Sequence, residues 1–311
     1  MYFPYLRGKQ FELIALRDLA SAGRLYPDKV SPIIEPVRIG LKSIRTAVRA
    51  LHPLGIQVQL IINPKVGELT GKTDDIIAFI KEQRESSVNN IIPTFIIQSD
   101  EEVGQLKELT ASYNYDFTGY AVILMSSVRD TEGLAQYIDN TECKSVTIHM
   151  NHVFALRRKF KTKAILGDYF RKQKVSADYA ENIDEVFSSD CFFYKTEGFN
   201  AFSDFQGIGS DWIEGGMLPK AVVIHLTYKD PQQDEIRIHH FVSTAMDNSL
   251  DVAGKFYQAN TKLIEFADQH RLASEALNKF RELHLRQGYP GLGTIKKLSI
   301  MHHIELMQSL I

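Results

Sequence analysis

The sequence predicts an α/β fold: an eight-stranded (β/α) TIM-like barrel, irregular in its second half and followed by C-terminal helices. Three observations carry that prediction. Short β-rich runs alternate with longer amphipathic runs along most of the chain. Strand starts recur roughly every 25–35 residues between residues 33 and 163, the length of a βα unit. Most of the early β-rich runs are apolar on both faces, as a parallel strand covered by helices must be. No G-x-G-x-x-G or G-x-x-x-x-G-K-[ST] follows the first strand, which favours a closed barrel over an open nucleotide-binding sheet.

The β-rich runs lie at 32–36, 56–62, 91–97, 120–125, 145–150 and 163–167, with two more at 221–228 and 236–242. Together they suit an eight-stranded barrel. Residues 2–7 can also form a strand. The spacers read as helices. Residues 73–86 carry Asp74 and Asp75 in the first turn, where carboxylates favour a helix N-terminus, and Ile76, Ile77, Ile80 and Gln83 at helical spacing. Residues 100–113 open with Asp100, Glu101 and Glu102, then place Val103, Leu106 and Leu109 three apart; residues 130–138 set Leu134 and Ile138 four apart. Residues 188–216, rich in Phe and Gly, show no clean period and read as irregular loops. Asp230-Pro231-Gln232-Gln233-Asp234 joins the last two runs as a hairpin turn. Residues 250–287 read as helix, with a stripe of Phe256, Ala259, Leu263, Phe266 and Ala267. Tyr289-Pro290-Gly291-Leu292-Gly293 ends it, and a last helix is expected over 294–310. The expected organisation is a barrel-like domain over 1–249 with a helical extension over 250–311 packed on the same domain.

Composition excludes several classes. The 311 residues are 44% hydrophobic and 24% charged, which is neither a disordered chain nor a disulfide-held mini-protein. Lys and Arg number 36 against 38 Asp and Glu, so a net charge of −2 argues against a generic nucleic-acid or membrane-surface protein. The two cysteines, Cys143 and Cys191, fit a reducing compartment. With no leader-like start and no long apolar run, a cytoplasmic location is expected.

Parallel barrels gather function at the C-terminal strand ends. The polar residues there are Glu35, Asn63 with Lys65, Gln98 with Asp100, His149 with Asn151, and Asp168 with Arg171 and Lys172. Lys9 and Glu12 join them if residues 2–7 are the first strand. Glu35 stands out because a carboxylate inside Ile-Ile-Glu-Pro is costly to bury without a partner. Asp100 reads first as a helix N-cap. In Gly167-Asp168-Tyr169-Phe170-Arg171-Lys172-Gln173 an acid directly follows a strand, and Arg171 offers a fork suited to phosphate or carboxylate. Asp168 and Arg171 are expected together at the mouth, within reach of Glu35 or Lys9. The plainer alternative is an N-cap followed by solvated cations. His239 and His240 must point to opposite faces of a strand, whereas His225 and His239 are expected to meet across neighbouring strands. Glu35 and His225 are the candidate bases. Lys9, Glu12, Lys65, Asp168, Arg171, Lys172 and His239 are the candidate ligand-binding residues. No metal site is expected, since H-E-x-x-H and C-x-x-C are absent, and nothing names a cofactor. Arg157, Arg158, Lys159, Lys161, Lys163, Arg171, Lys172 and Lys174 form a basic run that Asp168 alone opposes in sequence. It suits a phosphate-containing ligand, with nucleic acid a less favoured partner.

Several blocks together resemble the phage "beta protein" family in a bacterial branch. They are Tyr2-Phe3-Pro4-Tyr5-Leu6-Arg7-Gly8-Lys9-Gln10-Phe11-Glu12, Pro32-Ile33-Ile34-Glu35-Pro36, Ile165-Leu166-Gly167-Asp168-Tyr169-Phe170-Arg171-Lys172-Gln173 and Phe202-Ser203-Asp204-Phe205. Ala221-Val222-Val223-Ile224-His225-Leu226-Thr227-Tyr228 and Ile238-His239-His240-Phe241-Val242 complete the set. The resemblance implies a barrel-like fold and a component of a phage- or mobile-element-associated system, defence included. Such a component would recognise a ligand or partner protein through a barrel-mouth pocket, and a neighbouring-gene nuclease protein is the implied partner. The family supplies no catalytic residues. The alternative is an enzyme acting on a phosphate ester or nucleotide.

Overall fold

The structure, a computed structural model, describes residues 1–113, 119–212, 215, 220–245 and 250–311. Eight parallel strands close a barrel. In order around it they are β1 (Tyr2–Leu6), β2 (Ile33–Ile34), β3 (Val58–Ile61), β4 (Ile91–Ile97), β5 (Tyr120–Leu124), β6 (Cys143–His149), β7 (Lys163–Gly167) and β9 (Ala201–Asp204). The helices between them are α1 (Gln10–Ser21), α2 (Lys42–Leu51), α3 (Thr73–Glu85), α4 (Asp100–Ser112), α5 (Thr131–Asp139) and the short α6 (Val153–Leu156). The α/β barrel predicted from alternation is therefore present.

Two strands of that barrel are not the ones the sequence pattern marked. The runs at 221–228 and 236–242 form β10 (Val223–Lys229) and β11 (Ile236–Val242), an antiparallel hairpin. With β8 (Asp184–Ser188) they make a separate sheet in the order β10-β11-β8. The barrel closes instead through β1 and β9, with Tyr2 opposite Phe202 and Pro4 opposite Asp204. β9 lies inside the stretch read as irregular. Four residues leave too few positions for a period to register. The remainder of that stretch includes α7 (Asp190–Phe193); residues 213–214 and 216 lie outside the described residues, as does position 249.

The register sorts side chains into inner and outer sets. Gln59 on β3 and Ser145 on β6 meet at 3.4 Å. Those strands are not neighbours, so the two side chains meet inside the barrel. Following the register, Tyr5, Ile33, Gln59 and Ile92 share one inner row, and Ile61, Thr94, Ala121 and Ser145 another. Ile96, Ile123, Thr147, Ala164 and Ala201 form a third, and His149, Leu166, Ser203 and Phe3 a fourth. Phe3 and Tyr5 from β1 thus fill space that Ala164, Ala201 and Ser203 leave. The outer set, including Leu60, Phe95, Val122, Val146 and Ile165, is buried as well, which is why these strands read apolar on both faces.

The chain forms two compact units. The first comprises Met1–Leu13, Leu25–Asp168 and Phe193–Asp204; the second comprises Ile14–Arg24, Tyr169–Phe192 and Phe205–Ile311. The second unit holds the hairpin sheet and α8 (Val252–Gln269), α9 (Glu275–Leu285) and α10 (Leu292–Ser309). The helix expected over 250–287 is two helices. Ser274 ends the break between them by accepting the Leu277 backbone N–H at 3.1 Å, an N-cap the Phe and Leu stripe does not reveal. Among the described residues, no helix is long and apolar enough to cross a membrane.

Candidate functional site at the barrel mouth

The inner rows end at the C-terminal face of the barrel. Two residues past Tyr5, Ile33, Ile61, Ile96 and Leu166 come Arg7, Glu35, Asn63, Gln98 and Asp168. Alternation turns these toward the mouth.

Glu35 is fully buried and is held by three donors. The Tyr5 hydroxyl donates to Oε2 at 2.7 Å, the Arg7 guanidinium pairs with the same oxygen, and the Lys65 backbone N–H donates to Oε1 at 2.7 Å. A buried carboxylate is tolerated when it is both paired and hydrogen-bonded, and Glu35 is both. Burial, and then the charge of Glu35, push the Tyr5 hydroxyl well above the usual phenol range, so it serves as a donor. Gly8 makes the arrangement possible. Its φ is +62°, and a Cβ there would stand 2.9 Å from the Glu35 carbonyl oxygen. At Gly67, φ +86°, a Cβ would lie 2.5 Å from the Val37 carbonyl oxygen, so the loop carrying Lys65 can lie against the segment after β2 only with glycine there.

The neighbouring groups are also committed. The Lys65 ammonium pairs with Glu102, whose carboxylate accepts the Ser99 backbone N–H at 3.2 Å. Ser99, not Asp100, is therefore the N-cap of α4, and Asp100 accepts the Arg129 backbone N–H at 2.7 Å instead. Asn63 makes two 2.8 Å hydrogen bonds with the backbone of Ile96 and so ties the end of β3 to β4. Glu12 is buried, and its carboxylate accepts the Lys9 backbone N–H at 3.3 Å, closing the first turn of α1.

The side of the mouth at β5 to β7 is different. His149 ends β6 and Asp168 follows β7, both half-buried. Burial lowers the His149 imidazole below its ordinary range; His152 adds to that and Asp168 opposes it. The His152 Nδ1 lies 3.2 Å from the Ser127 hydroxyl. The Asp168 backbone N–H donates to the Met150 sulfur at 3.4 Å, and Phe154, 88% exposed, stands on the short α6. His149, with the Asp168 charge acting on it, and His152, against the Ser127 hydroxyl, can each accept or donate a hydrogen bond.

The sequence candidates divide between the two units. Lys9, Glu12, Glu35, Lys65 and Asp168 belong to the barrel unit; Arg171, Lys172, His225 and His239 belong to the second. The counter-charge of Arg171 is Glu185, at 3.2 Å, rather than Asp168, and Lys172 pairs with Asp211 at 3.8 Å. His225 meets His240, not His239: the two sit opposite each other in the hairpin, and their Nδ1 atoms are 2.7 Å apart. His239 turns instead to Asp184, at 2.9 Å. The basic run is opposed by acids distant in sequence, with Lys159 on Glu132 and Lys161 on Asp139. Among the described residues, no group of three or more His, Cys, Asp or Glu is arranged to hold a metal ion.

The sequence reading missed Arg7 and Tyr5 as the partners of Glu35. Tyr5 and Arg7 share one face, two residues apart at the end of the first strand, but only the pairing of β1 with β2 brings them to Glu35. Glu102 carried no signal, because its partner stands 37 residues away on another loop. Comparison with protein-family models, with curated proteins and with solved structures finds no match to this chain.

Proposed function

We propose that the chain is a recognition component of a phage- or mobile-element-associated system, defence included, and that it holds a ligand or partner protein at the barrel mouth. The observation that carries this reading is the division of that mouth. Arg7, Glu35, Lys65 and Glu102 neutralise one another and form a fixed rim. His149, His152, Ser127 and Asp168 form a half-open polar edge beside the exposed Phe154. Fixed charge with an adjacent polar and aromatic edge suits selective recognition. The blocks that resemble the phage "beta protein" family include Arg7, Glu35 and Asp168. A neighbouring-gene nuclease protein is the partner this reading favours.

Expression from the native operon with a tag on this chain tests it. The neighbouring protein should co-purify with the unaltered chain and be lost with the pair His149→Ala and Asp168→Ala, while Arg171→Ala retains it. A chain that purifies alone and holds no small molecule by native mass spectrometry overturns the reading. The second reading is an enzyme on a phosphate ester or nucleotide, which the His149 and Asp168 juxtaposition favours. Hydrolysis of nucleotides or phosphodiesters that Asp168→Ala abolishes would select it.

A further inference from the structure

The second unit contains a chain of hydrogen bonds that no part of the mouth uses. It begins at Glu185, which is 7% exposed on β8. Asn182 Nδ2 and Arg171 both donate to its Oε2, at 3.1 and 3.2 Å. Oε1 is thereby left for His240 Nε2, at 3.4 Å. On the other side of that ring, His240 Nδ1 lies 2.7 Å from His225 Nδ1. Phe170 and Tyr179 wall the two imidazoles, with ring centroids 5.0 and 4.7 Å from that of His225.

The order of donors along this chain is fixed by its carboxylate end. A carboxylate only accepts, so His240 must carry its proton on Nε2. The neutral His240 ring then offers a lone pair at Nδ1. His225 must donate to it from Nδ1, and a neutral His225 is left with its lone pair on Nε2. Among the described residues that Nε2 has no hydrogen-bond partner, and it is not among the sealed, unpartnered atoms. Burial, and then His240, hold His225 well below the ordinary imidazole range, so the neutral form is the one present at pH 7.

We infer that Nε2 of His225 is a hydrogen-bond-accepting site for an O–H group, water or an alcohol, with His240 and Glu185 as positioning residues. The O–H donates to the Nε2 lone pair and keeps its proton. Glu185 fixes this direction through His240, whose Nδ1 accepts from His225 Nδ1. Other ionisable groups around the pair are Tyr179, whose hydroxyl accepts the Gln173 N–H at 3.1 Å, and Arg171, already bound to Glu185. His239, on the opposite face of β11, and its partner Asp184 act on His240 through their charge alone, in opposite directions.

Two measurements on the full chain test this. Long-range proton–nitrogen NMR of the unaltered chain at pH 7 should place the His240 proton on Nε2 and the His225 proton on Nδ1. Finding His225 protonated on Nε2 overturns the inference without any variant. Diethylpyrocarbonate, which acylates an imidazole nitrogen through its lone pair, should modify His225 at Nε2. Glu185→Gln should reverse the chain. Asn182 and Arg171 both donate to one position, so the amide oxygen must take it, and the NH2 must face His240. His240 then donates from Nδ1, and His225 carries its proton on Nε2. Acylation should slow by about tenfold or more, because only the minor tautomer reacts. Equal rates in the two folded proteins overturn the relay.

Discussion

At the barrel mouth the buried polar centre is a carboxylate, Glu35, and its partners are a guanidinium, a phenol and a backbone N–H. In the second unit the buried polar centres include imidazoles: His240 in the hairpin, with the half-buried His225 against it, and His302 and His303 on α10. A guanidinium stays charged across the pH range in which proteins fold, so the first arrangement is permanent. An imidazole buried neutral can charge only by placing a positive charge away from water, so the second depends on pH. The two regions bury polar groups at similar depth and respond to different perturbations. Removing a partner breaks one, and adding a proton breaks the other.

The largest effect is expected at Arg7. Arg7→Met leaves the fully buried Glu35 without its counter-charge, and a buried charge stripped of its partner costs about 3–5 kcal/mol. Urea denaturation reads this directly. Replacing both residues, Arg7→Met with Glu35→Leu, should recover part of the loss, since an apolar pair leaves no charge to compensate; the remainder reflects the Tyr5 hydroxyl and Lys65 N–H, which lose this acceptor. A loss below about 1 kcal/mol for Arg7→Met would mean that water reaches Glu35 and that the contrast between the regions is false.

How much of this was legible follows the same division. The barrel strands announce themselves because runs such as Val58–Ile61 and Tyr120–Leu124 are buried on both faces and stand a βα unit apart. Glu35 was legible as a buried carboxylate, since its apolar neighbours and Pro36 leave it no route to solvent. Its partners depend on strand pairing between β1 and β2, which a run of residues does not state. The hairpin was legible as a hairpin but not as a separate sheet. Strands β10 and β11 are as long as β4 and β6 and carry apolar runs of their own, and it is their antiparallel pairing, together with that of β11 with β8, that takes them out of the barrel. The pairing of His225 with His240 follows from the hairpin register. Had the turn been one residue longer on one side, His225 would have faced His239 or Phe241.

The second effect is expected from acid. His302 is buried on α10; its Nδ1 and Nε2 bond to the Ser274 hydroxyl and the Thr227 carbonyl, at 2.8 and 2.9 Å. Burial, opposed by the Thr227 carbonyl and reinforced by His303, lowers its pKa from 6.5 to about 4. The folded protein therefore binds fewer protons than the unfolded chain between those values, and stability falls as pH drops through that window. The full shift corresponds to at most about 3 kcal/mol, gone by pH 4 and intact above pH 7. His225, His239 and His240 are shifted in the same direction and add to the slope. Thermal melts from pH 7.5 to 4 should show the fall, and His302→Gln should flatten it. A profile unchanged by His302→Gln would remove the imidazole from the account.

The smallest effect sharpens the reading of the mouth. Lys65 touches that site twice, through its backbone N–H to Glu35 and its ammonium to Glu102. Lys65→Met removes only the second contact. Both side chains of that pair keep some exposure, 22% and 16%, so screening reduces its worth to about 1 kcal/mol or less. The thioether can still cover the same apolar surface, which offsets part of that. Glu102→Ala should cost more than Lys65→Met, because Glu102 also accepts the backbone N–H groups of Gln98 and Ser99 at the start of α4. Losing that cap is worth about 1 kcal/mol by itself. Guanidinium titration of the two single variants and the double variant separates the terms. The coupling energy isolates the pair, and the excess in Glu102→Ala isolates the cap. If Lys65→Met proves the costlier change, the ammonium has a further partner at the mouth. The rim would then be more fully neutralised than its ion pairs indicate, and the case for an anionic ligand would weaken.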